Sequence, residues 1–279
     1  MVGVKATGVL GGMLGIKWGA TQRVEAGDPS AAWAEAILAR GDPSLPIGSI
    51  AAPGFLEDMQ VVSHLRGLLE ARGVRGVLGH ACHVHAREGH ARFTTSEYAG
   101  PVGALVRFHQ AEWLARLRHL GSIEGLFVGG LTPVTAPGTA VFTESKRLPL
   151  LWDRLKAPST AFREAMPESR DPRAAPWMRH PDEWVLKGTY SNTGDEVVFP
   201  EALTRSARLA LVARVLARPT RWVAQRRFTT AAVPTPFGDA RLCIGVYAVE
   251  GRAAGAYVRL ATRAIVDGAA IDAPLLVEN

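Results

Sequence analysis

The spacing of apolar positions changes along the chain, and its least regular part is the start. Gly8, Gly11, Gly12 and Gly15 interrupt an apolar run, and a helical pattern then emerges in AAWAEAILARG. Lys17 lacks the preceding Gly and the following Ser or Thr of a P-loop, and no GxGxxG is present, so the first residues are expected to be loop. From Gly54 the pattern sharpens. LEDMQVVSHLRGLLEARG brings Leu56, Met59, Leu65, Leu68 and Leu69 near one helical face, with Gly73 as a stop. VRGVLGHACHVH reads as a strand, ALVRFH as a second strand, and QAEWLARLRHL as a helix. Such alternation predicts a layered α/β arrangement. The turn-rich GGLTPVTAPG is the best boundary, separating an N-terminal α/β region (1–135) from a second region (136–279).

The second region opens with ESKRLPLLWDRL, expected as a helix whose first turn holds Pro149 or which Pro149 bends. MPESRDPRAAPWMRHPDE carries four prolines and reads as loop. WVLKGTYSNTGDEVVF reads as strand, small-residue turn, strand, and EALTRSARLALVARVLA as a helix. RWVAQRRF, RLCIGVYAVEG and RAAGAYVRLATR are strand patterns, the last two joined by a tight turn at Glu250-Gly251.

Composition narrows the class. With 279 residues, 47% of them hydrophobic and 21% charged, the chain can bury a sizeable core. A net charge of +6 favours anionic partners without choosing among ATP, an acidic peptide and nucleic acid. The arginines are scattered and no nucleic-acid motif accompanies them, so no nucleic-acid partner is expected. No apolar run approaches the roughly 20 residues of a membrane span, and the start lacks a small-residue cleavage site. A cytoplasmic protein without a membrane partner is the expectation. Cys82 and Cys243 lie far apart and read as buried, reduced thiols.

Lys187 ends an apolar strand and is followed by a loop of Gly, Ser and Thr, which suits a phosphate-bearing ligand. The ammonium supplies charge, and small residues let backbone N–H groups approach oxygens. Lys146 stands at a helix start, where free N–H groups face anions. Each lysine also has a plainer reading, as an exposed hairpin lysine or a solvated helix-start lysine. His80, Cys82, His83, His85 and His90 are zinc-ligand types. A regular strand sends His83 and His85 to one face and Cys82 to the other, so they read as ordinary strand or loop residues.

The order of these segments resembles the C-terminal part of the circularly permuted ATP-grasp ligases, specifically the glutathionylspermidine synthase-like family. The similarity runs from about Asp58 to Val277 and is firmest between Ser145 and Arg259. Val185 to Gly194 is similar to the family's V-K-P-x-x-G-R-x-G, with Gly188 in place of the proline and Asn192 in place of the arginine. Ser145 to Trp152 is similar to N-K-x-x-L-P-V-L-W. The resemblance implies that Lys146, Lys187, Ser191, Asn192, Gly194 and Gln225 bind the nucleotide. Lys187 would reach its phosphates under a closing loop, and Gln225 would sit beside the adenine. It gives Arg259 the role of a catalytic cation, through the family's G-G-T-C-L-R. Arg107 and Glu112, five residues apart as in K-T-W-A-W-E-T, would join the catalytic set, Glu112 orienting a substrate amine; the plainer reading of Glu112 is a charge in a first helical turn.

The implied fold is α/β, ATP-grasp-like (circularly permuted), with mixed sheets and flanking helices. The implied activity is ATP-dependent carbon–nitrogen ligation, joining a small-molecule or peptide carboxylate to an amine through an acyl phosphate. ATP and Mg²⁺ are the implied cofactors, but the family's R-x-D and E-x-N magnesium segments have no counterpart, so the metal ligands stay unidentified. Three explanations stand open: a chain that begins late, a site completed by a partner chain, or a degenerate ATP-grasp. The last would be a nucleotide-binding or scaffold module without turnover.

Overall fold

The computed structural model describes residues 23–117, 123–156, 160–192, 194–236 and 238–278. The loop expected at the chain start, with its glycines and Lys17, lies outside the described residues, as does Thr193. The fold is mixed α/β, with several sheets and flanking helices. It divides into two units. Unit 1 comprises Met1–Ala140, Ile244–Val258 and Asp272–Asn279; unit 2 comprises Val141–Cys243 and Arg259–Ile271.

Unit 1 opens with β1 (Arg23–Glu25) and α1 (Pro29–Arg40). Asp28 caps the helix by accepting from the Ala31 N–H at 2.9 Å, and Pro29 fits the first turn, whose N–H groups have no helical partner. There follow β2 (Ile47–Ile50), α2 (Leu56–Glu70) and β3 (Gly76–Gly79), then β4 (Val84–Arg87), β5 (His90–Thr94), β6 (Ala99–Pro101), β7 (Ala104–Arg107) and β8 (Val134–Thr135). A parallel sheet runs in the order β3-β2-β7-β8. Every residue of β2 and β7 is buried, as parallel strands covered on both faces require. Ile47, Ala104 and Val106 meet Leu65 and Leu69 of α2 and Ile37 of α1 on one side. Ile50 and Leu105 meet Phe93 and Val84 on the other. The antiparallel sheet β4-β5-β6 supplies that second cover. Gly48 makes the contact possible, because a Cβ there would stand 2.3 Å from the Phe93 ring.

Unit 2 is built on an antiparallel sheet, β11-β10-β12-β9. Its strands are β9 (Ser169–Arg170), β10 (Trp184–Gly188), β11 (Val197–Val198) and β12 (Trp222–Arg226). Helix α3 (Arg205–Ala217), capped by Thr204, sends Leu211 and Val215 into a core with Trp177, Trp184, Leu186, Trp222 and Ala224. The remaining strands are β13 (Ala232–Thr235), β14 (Gly238–Val249), β15 (Arg252–Ala261), β16 (Ile271–Pro274) and β17 (Leu276–Glu278). The residues of β14 and β15 are shared between the units, and β17 pairs with β1 in unit 1. Glu250 and Gly251 form the tight turn between β14 and β15, with φ of 50° and 75°.

Several expectations need correction. Val62, not Leu56, completes the buried face of α2, and Leu56 is 73% exposed at the first turn. The segment after Lys146 is a 3-10 helix, Leu148–Arg154, preceded by a separate short helix, Ala140–Glu144. Pro149 has no N–H for the α-helical ladder, which accounts for the break. The proline-rich stretch read as loop supplies β9. His80 to His83 is not strand: Ala81–His83 is a 3-10 turn in which His83 Nδ1 accepts from the His80 N–H at 3.1 Å. Both cysteines are free, and both are exposed rather than buried. Among the described residues no helix is long and apolar enough to cross a membrane.

Candidate functional site

The pleat of β10 and β12 separates two chemistries. Trp184, Leu186, Trp222 and Ala224 point into the core, so Val185, Lys187, Val223 and Gln225 take the opposite face. Lys187 is paired with Val223, which makes Gln225 its diagonal neighbour, within reach of a long side chain. The Lys187 Nζ donates to Gln225 Oε1 at 2.6 Å, and Gln225 Nε2 donates to Ser169 Oγ at 3.2 Å. Ser169 lies opposite Gln225 on β9, so one polar row crosses three strands. Gln225 is buried and Lys187 half-buried, so neither group is left to bulk water.

Lys146 clasps the turn that leaves β10. Its backbone N–H donates to Thr189 O at 2.9 Å, and its Nζ donates to Ser191 O and, at 3.3 Å, to Ser191 Oγ. The Ser191 hydroxyl in turn donates to Gly188 O at 3.2 Å. The helix-start argument for Lys146 does not hold, because its segment begins only a short 3-10 helix. What the fold supplies instead is proximity to Lys187. Burial, and then the Lys146 charge, hold the Lys187 ammonium below the ordinary lysine pKa, while Cys243 acts in the opposite direction. Among the described residues no carboxylate pairs with Lys187.

Gly194 and Arg259 share one support. Gly194 has φ of 78°, and a Cβ there would meet Ile265 Cγ2 at 2.8 Å and Val266 O at 3.1 Å. The Arg259 guanidinium donates to Asp267 O at 2.8 Å, in the same segment. Asn192 is exposed, and its carbonyl accepts from the Asp195 N–H at 3.1 Å. Lys146, Lys187, Ser191 and Gln225 are thus brought together, with Gly194 on the adjoining turn.

Arg107 and Glu112 belong to unit 1. Arg107 is buried, and its guanidinium donates to Ala136 O at 2.5 Å and to His109 O. These bonds tie two loops to the end of β7. Glu112 stands in the first turn of a four-residue helix, Ala111–Leu114.

Ser169 is the residue of this row that sequence reasoning missed, since a two-residue strand inside a proline-rich stretch has no periodicity to read. Arg147 and Asp171 were also missed. Arg147 donates to Asp171 Oδ2 at 2.9 Å, to Trp222 O at 2.7 Å and to Pro219 O at 3.2 Å, fastening the Lys146 segment to β12. Among the described residues no group of three or more His, Cys, Asp or Glu side chains is gathered to hold a metal ion. No family model matches the chain, and no curated protein matches it.

Proposed function

We propose that unit 2 is an ATP-grasp-like nucleotide-binding unit, circularly permuted, and that the chain is an ATP-dependent carboxylate–amine ligase similar to the glutathionylspermidine synthase-like enzymes. The observation that carries this reading is the polar row on β10 and β12: Lys187 bonded to Gln225, with the Lys146 charge beside it. The Lys146 charge adds to burial in lowering the Lys187 pKa, so an anion near the two ammonium groups is favoured, and a phosphate chain is a polyanionic ligand of that kind. Val185, Val223 and Gln225 share one face of β10 and β12, two apolar side chains beside an amide, the combination a base ring uses.

In the proposed reaction a carboxylate oxygen attacks the γ-phosphorus of ATP and ADP leaves, giving an acyl phosphate. The amine nitrogen then attacks the acyl carbon and loses its proton, and phosphate departs as the amide forms. Positioning and fixed charge supply the catalysis. The donor set does not fit the family's magnesium. No group of three or more His, Cys, Asp or Glu side chains is gathered among the described residues, and residues 1–22 contain neither Asp nor Glu. That observation favours a second reading, a nucleotide-binding or scaffold module with little or no turnover.

Calorimetry with ATP, with and without Mg²⁺, tests the shared part of both readings. ATP binding should depend little on the ion, and Lys187→Ala should weaken it at least tenfold. Absence of ATP binding at millimolar concentration would remove both. Hydroxylamine trapping over a panel of carboxylates separates them: hydroxamate formation establishes the ligase, and its absence in a chain that binds ATP establishes the module.

A further inference from the structure

A cavity of about 670 Å³ opens within unit 1, among α1, β7, residues 133–137 and the turn between β14 and β15. Its inner wall is apolar, with Ile37 and Ala104 buried and Trp33, Ala36 and Val134 partly so. At the mouth, the Arg40 guanidinium meets Glu250 Oε2 at 2.6 Å, and these side chains are 67% and 54% exposed.

The backbone here is costly. Among the described residues three that are not glycine have left-handed φ: Glu88, Ala136 and Glu250. Two of them, Ala136 and Glu250, line this cavity. The turn at Glu250-Gly251 needs positive φ at both positions, which Asn-Gly supplies with less strain. The strained position instead carries the carboxylate that faces Arg40. Ala136 is held from behind by buried Arg107, which donates to its carbonyl at 2.5 Å. Strain that a buried side chain enforces is a mark of ligand clamps.

We propose that this cavity binds a free α-amino acid with a bulky apolar side chain. An anionic ligand at Arg40 would strip Glu250 of its cation and repel it, and a cationic ligand at Glu250 would do the reverse. A zwitterion replaces both halves of the pair at once, its carboxylate on Arg40 and its ammonium on Glu250. The exchange is easy because an exposed ion pair contributes little. The apolar wall then receives the side chain, with space for one as large as an aromatic ring. The proposal stands apart from the nucleotide reading, because every residue it uses belongs to unit 1.

Calorimetry and saturation-transfer NMR with L-phenylalanine, N-acetyl-L-phenylalanine, phenethylamine and glycine test it. L-Phenylalanine should bind, and each of the other three should bind at least tenfold more weakly, since each lacks one feature the site reads. Arg40→Gln and Glu250→Gln should each weaken L-phenylalanine at least tenfold while shifting Tm by no more than about 2 °C, because the pair is exposed. Lys187→Ala should leave L-phenylalanine binding unchanged whether or not ATP binds. No binding of L-phenylalanine at millimolar concentration overturns the proposal. So does equal binding of either capped or decarboxylated analogue, or indifference to both charge variants.

Discussion

The Lys187 ammonium donates to the Gln225 side-chain oxygen at 2.6 Å across two antiparallel strands, and the same amide passes its own N–H to Ser169 at 3.2 Å. Lysine has donors and no acceptor, serine has both, and the amide between them satisfies each end. The row buries polar atoms at low cost only while it is complete. Its members are therefore expected to respond to mutation as a group.

Lys187→Met alone leaves Gln225 Oε1 buried without its donor, and Gln225→Leu alone leaves the ammonium without its acceptor. Each should destabilise by about 1–3 kcal/mol, the cost of orphaning a buried polar group. The double variant replaces both by apolar groups and should be close to the parent. A double-mutant cycle by urea unfolding should return a coupling of at least about 1 kcal/mol. Additive single effects would show that the row is not a unit.

This row was only half legible in the sequence. Lys187 stands out as a lysine that ends an apolar strand before a small-residue turn, and Gln225 through the resemblance of its strand to the family's; the shared face then follows from period two. Ser169 was hidden, because a strand of two residues among prolines gains its structure from pairing with β12 and not from its own pattern. Likewise Lys146 was read as a helix-start residue, whereas its role follows from the Thr189 and Ser191 carbonyls, which tertiary folding brings to it. In unit 1 the period of α2 predicted the helix but misplaced its buried edge, since Leu56 falls on the first turn beyond the sheet's cover. The parallel order β3-β2-β7-β8 could not be read at all, because fully buried strands do not alternate.

Stability should depend on pH through Lys187. Burial and Lys146 lower its folded pKa, so the unfolded chain holds that proton more tightly. The charged lysine therefore costs stability at all pH values below its folded pKa. That cost is recovered as pH rises from the folded value toward the ordinary 10.5. Relative to Lys187→Met, the parent should gain stability on alkaline titration, and Lys146→Gln should reduce the gain. Parallel urea curves for parent and Lys187→Met at every pH would contradict this.

Asp171 behaves in the opposite sense. Arg173, and beyond it Arg147, hold its carboxyl well below the usual carboxylate range, against the pull of desolvation. Its contribution is complete above the unfolded value of 3.8 and is lost as pH falls below it. The Arg147 contact is the better shielded of the two, with both side chains 22% exposed, whereas Arg173 is 62% exposed. Asp171→Asn should cost about 1–2 kcal/mol at neutral pH, because Arg147 keeps its bonds to Trp222 O and Pro219 O. The variant should also show a shallower loss of stability in acid. An acid-unfolding curve identical to the parent's would place the acid response elsewhere.

Gly194 connects the turn after β10 to the segment that holds Arg259, and a single methyl group tests that connection. With φ of 78°, alanine at this position is strained by about 1 kcal/mol whatever its surroundings. The added Cβ would also stand 2.8 Å from Ile265 Cγ2 and 3.1 Å from Val266 O, so residues 265–267 must move, and with them the Asp267 carbonyl that accepts from Arg259 at 2.8 Å. Gly194→Ala should therefore destabilise by about 2–3 kcal/mol, lowering Tm by several degrees. Gly251→Ala provides the comparison, because its φ is 75° and nothing lies within 4 Å of its missing Cβ. It should show the strain alone, about 1 kcal/mol. Hydrogen exchange should then report faster opening of residues 263–268 in Gly194→Ala and no change there in Gly251→Ala. Equal losses in the two variants would mean that the contact with Ile265 carries no energy and that the turn does not position Arg259.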